Sequence, residues 1–189
     1  MRHATRELHE RIEQALDLLA PGLSPERYRA LLERFHGLIA PFEARLALVG
    51  GWEGIGIDLD ERRKAPLLVR DLRALGLADA DIERLPRCGD LPAVSTLADG
   101  MDCLYVLEGS TLGGQVISRH VHEALGISAE SGGAFFAAYG ARTGRMWKAY
   151  QEALARLPAE PAVQAALVSA ACDSFFTFER WMQGGAAHP

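Results

Sequence analysis

The chain of 189 residues predicts an all-α bundle in a single domain. Apolar residues recur at three- and four-residue spacing along most of it, while the alternation of a half-buried strand is scarce. Proline and glycine punctuate the periodic stretches at helix-length intervals. Hydrophobic residues make up 49% and charged residues 24%, enough for one sizeable core, and no run of about 18 apolar residues offers a membrane span.

Taken in order, residues 5–19 carry apolar side chains at 8, 12, 15, 16 and 19, one face of a first helix. The breaker PGLSP follows at 21–25, and Ser24 then Pro25 read as N-cap and first position of a second helix. That helix runs through ERYRALLERFHGLIAPFEARLALV, where Pro41 is expected to kink or divide it. GGWEGIGIDLD is a loop. ERRKAPLLVRDLRALGL is a third helix stopping near Gly76, and ADADIERLPRCGDLP is a connection with room for one helical turn. A long helix begins between Pro92 and Val94 and ends near Gly126. ESGGAFFAAYG fits no single element. RTGRMWKAYQEALARLP is a helix ended by Pro158, and PAVQAALVSAACDSFFTFERWMQGG forms the last one. No repeat, low-complexity tract or linker divides the chain, so residues 1–189 are expected to form one domain.

The totals exclude several function classes. A net charge of −5 and a pI near 5.7 make the chain a poor binder of nucleic acid, and the basic triplet at 62–64 is short and set among acids. Cys88, Cys103 and Cys172 are widely spaced with no CxxC pair, which argues against a zinc or thioredoxin-like site and fits a reducing compartment. The N-terminus is charged from the start and lacks the apolar region of a secretion signal. A cytoplasmic protein is expected, without membrane attachment and monomeric, since no helix has an obvious exposed apolar face.

One stretch of the long helix breaks the usual rules. LEGSTLGGQV, residues 107–116, holds Gly109, Gly113 and Gly114, and each glycine in a helix costs roughly 1 kcal/mol against alanine. A phosphate loop is excluded, because no strand precedes the glycines and no lysine follows them in the required pattern. Two readings stay open. Gly109 and Gly113 form a small-xxx-small seam for close helix packing. Alternatively the three glycines, with Ser110 and Thr111, leave a bare helix against which a large flat ligand can lie, with space for a small gas above it.

The second reading needs a partner helix carrying an axial ligand. On the first helix His9 lies about 100° around the axis from Leu8, on the flank of the apolar stripe. Glu13 follows one turn later, where its carboxylate can fix the imidazole tautomer directly or through water. Arg2 shares that flank about 10 Å along the axis, a separation suited to a carboxylate at the edge of a porphyrin. The competing reading of His9 is a border histidine in an ordinary contact with Glu13. His120 and His122 fall on different helix faces without a Glu-x-x-His pattern, so a di-iron bundle is not supported. His36 reads as structural, and His3 and His188 lie near the termini.

ATRELHERIE resembles the proximal helix of heme oxygenases, and LYVLEGSTLGGQVISRHV resembles their distal helix, down to the QV after the glycines. FFAAYGARTGRMWKAY and SFFTFERWM resemble the late helices of the bacterial branch, above all members associated with bacteriophytochromes. The likeness covers about residues 3 to 182 in order. It implies heme between the first helix and a kinked glycine-rich distal helix. It implies His9 as the axial ligand of the iron, Gly109, Ser110, Gly113 and Gly114 above the heme, and Arg2 and Tyr105 as partners of the heme propionates. Arg142, Arg145 and Lys148 are further propionate candidates that the resemblance does not assign residue by residue. Ser110 stands where mammalian-type members carry an aspartate that organises distal water, so the proton network here differs from theirs. Glu108 is expected to point away from the site.

The activity the resemblance implies is oxidative cleavage of heme to biliverdin, carbon monoxide and ferrous iron with O2. Heme is then both cofactor and substrate. No flavin or nicotinamide motif is present, so electrons are expected from an external donor, a ferredoxin or a flavoprotein reductase. A bacteriophytochrome is a candidate recipient of the biliverdin. Two rival classes remain: a heme carrier without turnover, and a heme-free thiaminase-like hydrolase on the same fold, for which Cys103 would be the nucleophile.

Overall fold

The computed structural model describes residues 16, 18–19, 21–158 and 161–184, with the side chains of 161–171 left out. The predicted first helix, with Arg2, His9 and Glu13, therefore lies outside the described residues except for three leucines near its end. The described elements are helical: α1 (Pro25–Leu46), α2 (Ala65–Ala74), α3 (Asp79–Glu83), α4 (Leu97–Leu125), α5 (Ala134–Ala137), α6 (Thr143–Leu154) and α7 (Pro161–Met182), with single 3-10 turns at Glu53–Ile55, Asp60–Arg62 and Gly140–Arg142. No strand occurs among the described residues.

The caps explain the boundaries. The Ser24 hydroxyl accepts from the backbone N–H of Arg27, and Pro25 takes the first helical position, as the sequence predicts. Thr96 and Asp99 form a reciprocal capping box at the start of α4, and Gly126 ends it in a left-handed conformation at φ 70°. Pro41 does not divide α1, which runs unbroken. The proline has no N–H to give the Gly37 carbonyl one turn earlier, and that carbonyl instead accepts from the backbone N–H of Cys88, at 2.8 Å. The displaced bond thus ties the 86–88 segment to α1. A Cβ on Gly37 would stand 2.3 Å from the Pro86 carbonyl oxygen, so the approach requires glycine.

α4 is the axis of the molecule. It packs mainly on α7, with α5 and α6 on its flanks, while α2 packs on α1. On α1 the buried residues Tyr28, Leu32, Phe35, Ile39, Phe42 and Leu46 repeat at three- and four-residue spacing and make one apolar stripe. On α4 burial is nearly continuous from Gly100 to Glu108, the mark of a helix surrounded by others. No helix among the described residues is long and apolar enough to cross a membrane.

Candidate functional site

Past Glu108 one side of α4 leaves the core, while Thr111, Gly114 and Val121 stay buried. Ser110, Leu112, Gly113, Gln115 and Val116 are exposed, with Leu112 at 47% and Val116 at 59%. Two large apolar side chains beside a glycine make an unusual surface for a helix facing water. On the inner side Ser110, Thr111, Gly113 and Gly114 line a cavity of about 100 Å³, faced by Phe35, Phe135, Phe136 and Phe178 and closed on one side by Leu16. The four rings pack on one another at centroid separations of 4.9 to 5.7 Å where they touch.

The glycines divide by role. A Cβ on Gly114 would stand 2.3 Å from the Phe136 carbonyl oxygen, so Gly114 lets α4 meet the backbone of α5. Among the described residues a Cβ on Gly113 meets nothing within 4 Å, and one on Gly109 meets only the Trp147 ring, at 4.0 Å. Gly114 thus has a packing reason, while no described residue packs on the Gly113 Cβ position. Gly109 does not line the cavity. Tyr105, one turn before it, is half-buried with its ring 5.8 Å from that of Trp147, and it also lies off the cavity wall. Arg142, Arg145 and Lys148 are exposed on or beside the start of α6.

The floor is held by long-range bonds. The buried Asp71 carboxylate on α2 accepts from the N–H groups of Ala134 and Phe135, at 2.9 and 2.7 Å, capping the short α5. The Tyr28 hydroxyl on α1 donates to the Gly132 carbonyl. These bonds set Phe135 and Phe136 under α4. Ala138 then takes φ 43°, the left-handed region, where no other non-glycine among the described residues is found. This bend turns Tyr139 inward.

Tyr139 completes a buried polar cluster that the sequence reading passed over. Glu108 is fully buried, and its carboxylate pairs with two cations: Arg62 at 2.5 Å and Lys64 at 2.7 Å. The Tyr139 hydroxyl donates to the same carboxylate at 2.6 Å and accepts from the Lys64 ammonium at 3.1 Å. Arg62 ends a 3-10 turn and Lys64 is the N-cap residue of α2, whose first N–H groups are bound by the Glu43 carboxylate from α1. Glu108 itself points away from the cavity, as expected, but Lys64 lines it. Burial drives the lysine pKa down and the Glu108 charge opposes that shift.

The cysteine reading fails on its own residue. Cys103 is buried on α4, away from the cavity, with its sulfur 3.5 Å from the Ser174 hydroxyl. Burial pushes its thiol up to about 11, so little thiolate is available for nucleophilic attack. The adjacent Asp102 is 1% exposed, and neither of its oxygens has a hydrogen-bond partner among the described residues. Burial, helped by the charge of Asp99, pushes its carboxyl up to about 8. The folded chain therefore keeps a proton that the unfolded chain releases near 3.8. Stability from this group is full below pH 4 and is lost as pH rises through about 8. Asp102→Asn is expected to flatten that slope and to melt higher than the parent at pH 8; equal slopes in calorimetric scans from pH 5 to 8 would remove Asp102 as its cause.

A bare helix face over a phenylalanine floor suits a protein that holds a flat apolar cofactor. Residues 1–184 match the heme oxygenase family profile. The chain belongs to the heme oxygenase family. A heme oxygenase of Xanthomonas campestris pv. campestris is 38% identical over 104 residues, covering 51% of this chain and 54% of that protein, so the alignment spans about half the length of that relative. The fold matches heme oxygenase from Leptospira interrogans with TM-score 0.77 at 17% identity, over 97% of this chain and 96% of that one. It matches the NO- and CO-bound heme oxygenase of Neisseria meningitidis with TM-score 0.77 at 22% identity, over 100% and 92%. It also matches heme oxygenase-1 of the cyanobacterium Synechocystis in complex with heme, with TM-score 0.72 at 16% identity, over 96% and 88%.

Proposed function

We propose that this chain cleaves heme oxidatively to biliverdin, carbon monoxide and ferrous iron, with heme as cofactor and substrate. The observation that carries the reading is the open Gly113 face of α4 beside an apolar cavity, in a chain of this family. What supports a porphyrin is the mainly apolar lining: Leu16, Ile117 and four phenylalanine rings face a stretch of α4 that includes two glycines. Heme, when bound, supplies the iron that activates oxygen and the ring that is opened. The protein supplies the rest. His9 holds the iron from the first helix, and Glu13 fixes the imidazole tautomer. Arg2 and Tyr105 take the propionates and so set the rotation of the ring in its slot. Gly113 leaves α4 bare where it would approach the ring, with Ser110 beside it and Gly109 one turn before, while Gly114 seats α4 on the Phe136 backbone. The phenylalanine rings of the cavity would exclude water from a ring bound against them.

Electrons come from a ferredoxin or flavoprotein reductase, and a bacteriophytochrome is a recipient of the product within a cytoplasmic setting. The test is addition of one equivalent of hemin to the purified protein, then ascorbate in air. A sharp Soret band that decays as biliverdin absorbance rises is expected. A stable Soret band with no biliverdin, even with a reductase supplied, would return the chain to a heme carrier. No Soret band would remove heme from the account.

A further inference from the structure

The hydroxyls nearest the cavity are already committed. Ser110 donates to the Leu107 carbonyl at 2.8 Å and Thr111 to the Glu108 carbonyl at 2.7 Å. Neither hydroxyl proton is aimed into the cavity. Among the described lining residues, Lys64 is the one ionisable side chain. Its three acceptors fix its form. The Arg62 carbonyl at 3.0 Å and the Glu108 carboxylate at 2.7 Å can only accept. Tyr139 spends its proton on Glu108, so it accepts from Lys64 too. Three accepting partners require the three N–H bonds of an ammonium. With all three held, the group cannot swing; what it offers the cavity is a fixed charge. The choice of lysine is selective, since only Lys64 and Lys148 are lysines among 20 basic residues. A compact point charge fits here where a planar guanidinium would not.

We propose that Lys64 is an electrostatic positioning residue of this pocket: clamped by Glu108, Tyr139 and the Arg62 carbonyl, its charge sets a positive potential at the cavity wall beside Ser110 and Thr111, and so favours small anionic or negatively polarised ligands on the glycine side of the heme. The proposal rests on the heme reading of the slot. Arg62 binds the other oxygen of Glu108 and the Met146 carbonyl, and does not line the cavity. Fixed charges of this kind act strongly in a low-dielectric site because they need no reorganisation.

Two measurements test it. Protein labelled with 13C at the lysine ε-carbon gives two signals, one of them from Lys148, which is 75% exposed and serves as the control. Loading with zinc protoporphyrin, a diamagnetic stand-in for heme, is expected to shift the Lys64 signal by ring current and leave Lys148 in place. Bound porphyrin with an unmoved Lys64 signal overturns the inference and leaves the heme reading intact. Absence of porphyrin binding overturns both. In the ferric heme complex, Lys64→Met is expected to weaken azide about tenfold, roughly 1.4 kcal/mol, while the neutral ligand imidazole binds as before. Loss of affinity for both ligands alike would reduce Lys64 to a packing role. If the variant fails to fold, the labelled parent protein still decides the question.

Discussion

Glu108→Ala is expected to destabilise the protein by about 3–5 kcal/mol, because it leaves two buried cations without their anion. Arg62 and Lys64 are 5% and 2% exposed, and their shared partner is fully buried. Removing the carboxylate also strands the Tyr139 hydroxyl proton. Typical domains hold only about 5–15 kcal/mol of net stability, so this one change is a large share of it. The opposite experiment separates pairing from packing. Replacing all three charges together, with Arg62→Met, Lys64→Met and Glu108→Leu, is expected to cost far less than Glu108→Ala alone, since well-packed apolar groups often match a buried ion cluster in stability. Urea unfolding of the parent and both variants measures this. A loss below about 1 kcal/mol for Glu108→Ala would mean that water reaches the cluster. If the triple variant is stable yet loses the azide preference argued above, the cluster is retained for the pocket's charge and not for the fold.

The helices were legible because their signals are local. Ser24–Pro25, Gly126 and Pro158 mark ends by chemistry that acts within one turn. Pro41 leaves α1 undivided. Its missing N–H is compensated by Cys88, a partner 51 residues away from Gly37 whose approach no local pattern announces. The same limit hid the polar cluster. Lys64 and Arg62 meet Glu108 across 44 and 46 residues. In sequence the first two belong to a short basic triplet and the third to the edge of an apolar run. The usable signals were weaker ones: a glutamate directly after five apolar residues of a buried helix, and a lysine in a chain that otherwise favours arginine. In sequence Gly109 and Gly113 pair as a packing seam, whereas in the fold Gly114 is the one that meets another backbone. Gly114 and Gly113 differ only in what the 134–137 backbone does, and ESGGAFFAAYG was the segment that fitted no element. Asp71, which caps that segment, lies 63 and 64 residues before the N–H groups it binds.

Gly114→Ala and Gly113→Ala should therefore move in opposite directions. At Gly114 a methyl group would stand 2.3 Å from the Phe136 carbonyl oxygen, which is backbone held by the Asp71 cap and cannot swing aside like a side-chain tip. Either α4 or α5 must shift, and overpacking of this kind costs about 1–3 kcal/mol or more. At Gly113 a methyl group meets nothing within 4 Å among the described residues, so the ligand-free protein should gain roughly 1 kcal/mol of helix propensity. A chain that keeps glycine where alanine would stabilise the empty form has a use for the missing methyl. If that use is close approach to heme, Gly113→Ala raises the melting temperature of the apoprotein and lowers its affinity for heme, and Gly113→Leu lowers the affinity further. The Gly114 variant instead loses stability first, and loses heme only as far as Phe135 and Phe136 are displaced. Apoprotein melting and hemin titration on both variants make the comparison. Equal heme affinity for Gly113→Leu and the parent would place the cofactor away from this face of α4, and the exposed Leu112 and Val116 would then need a different partner.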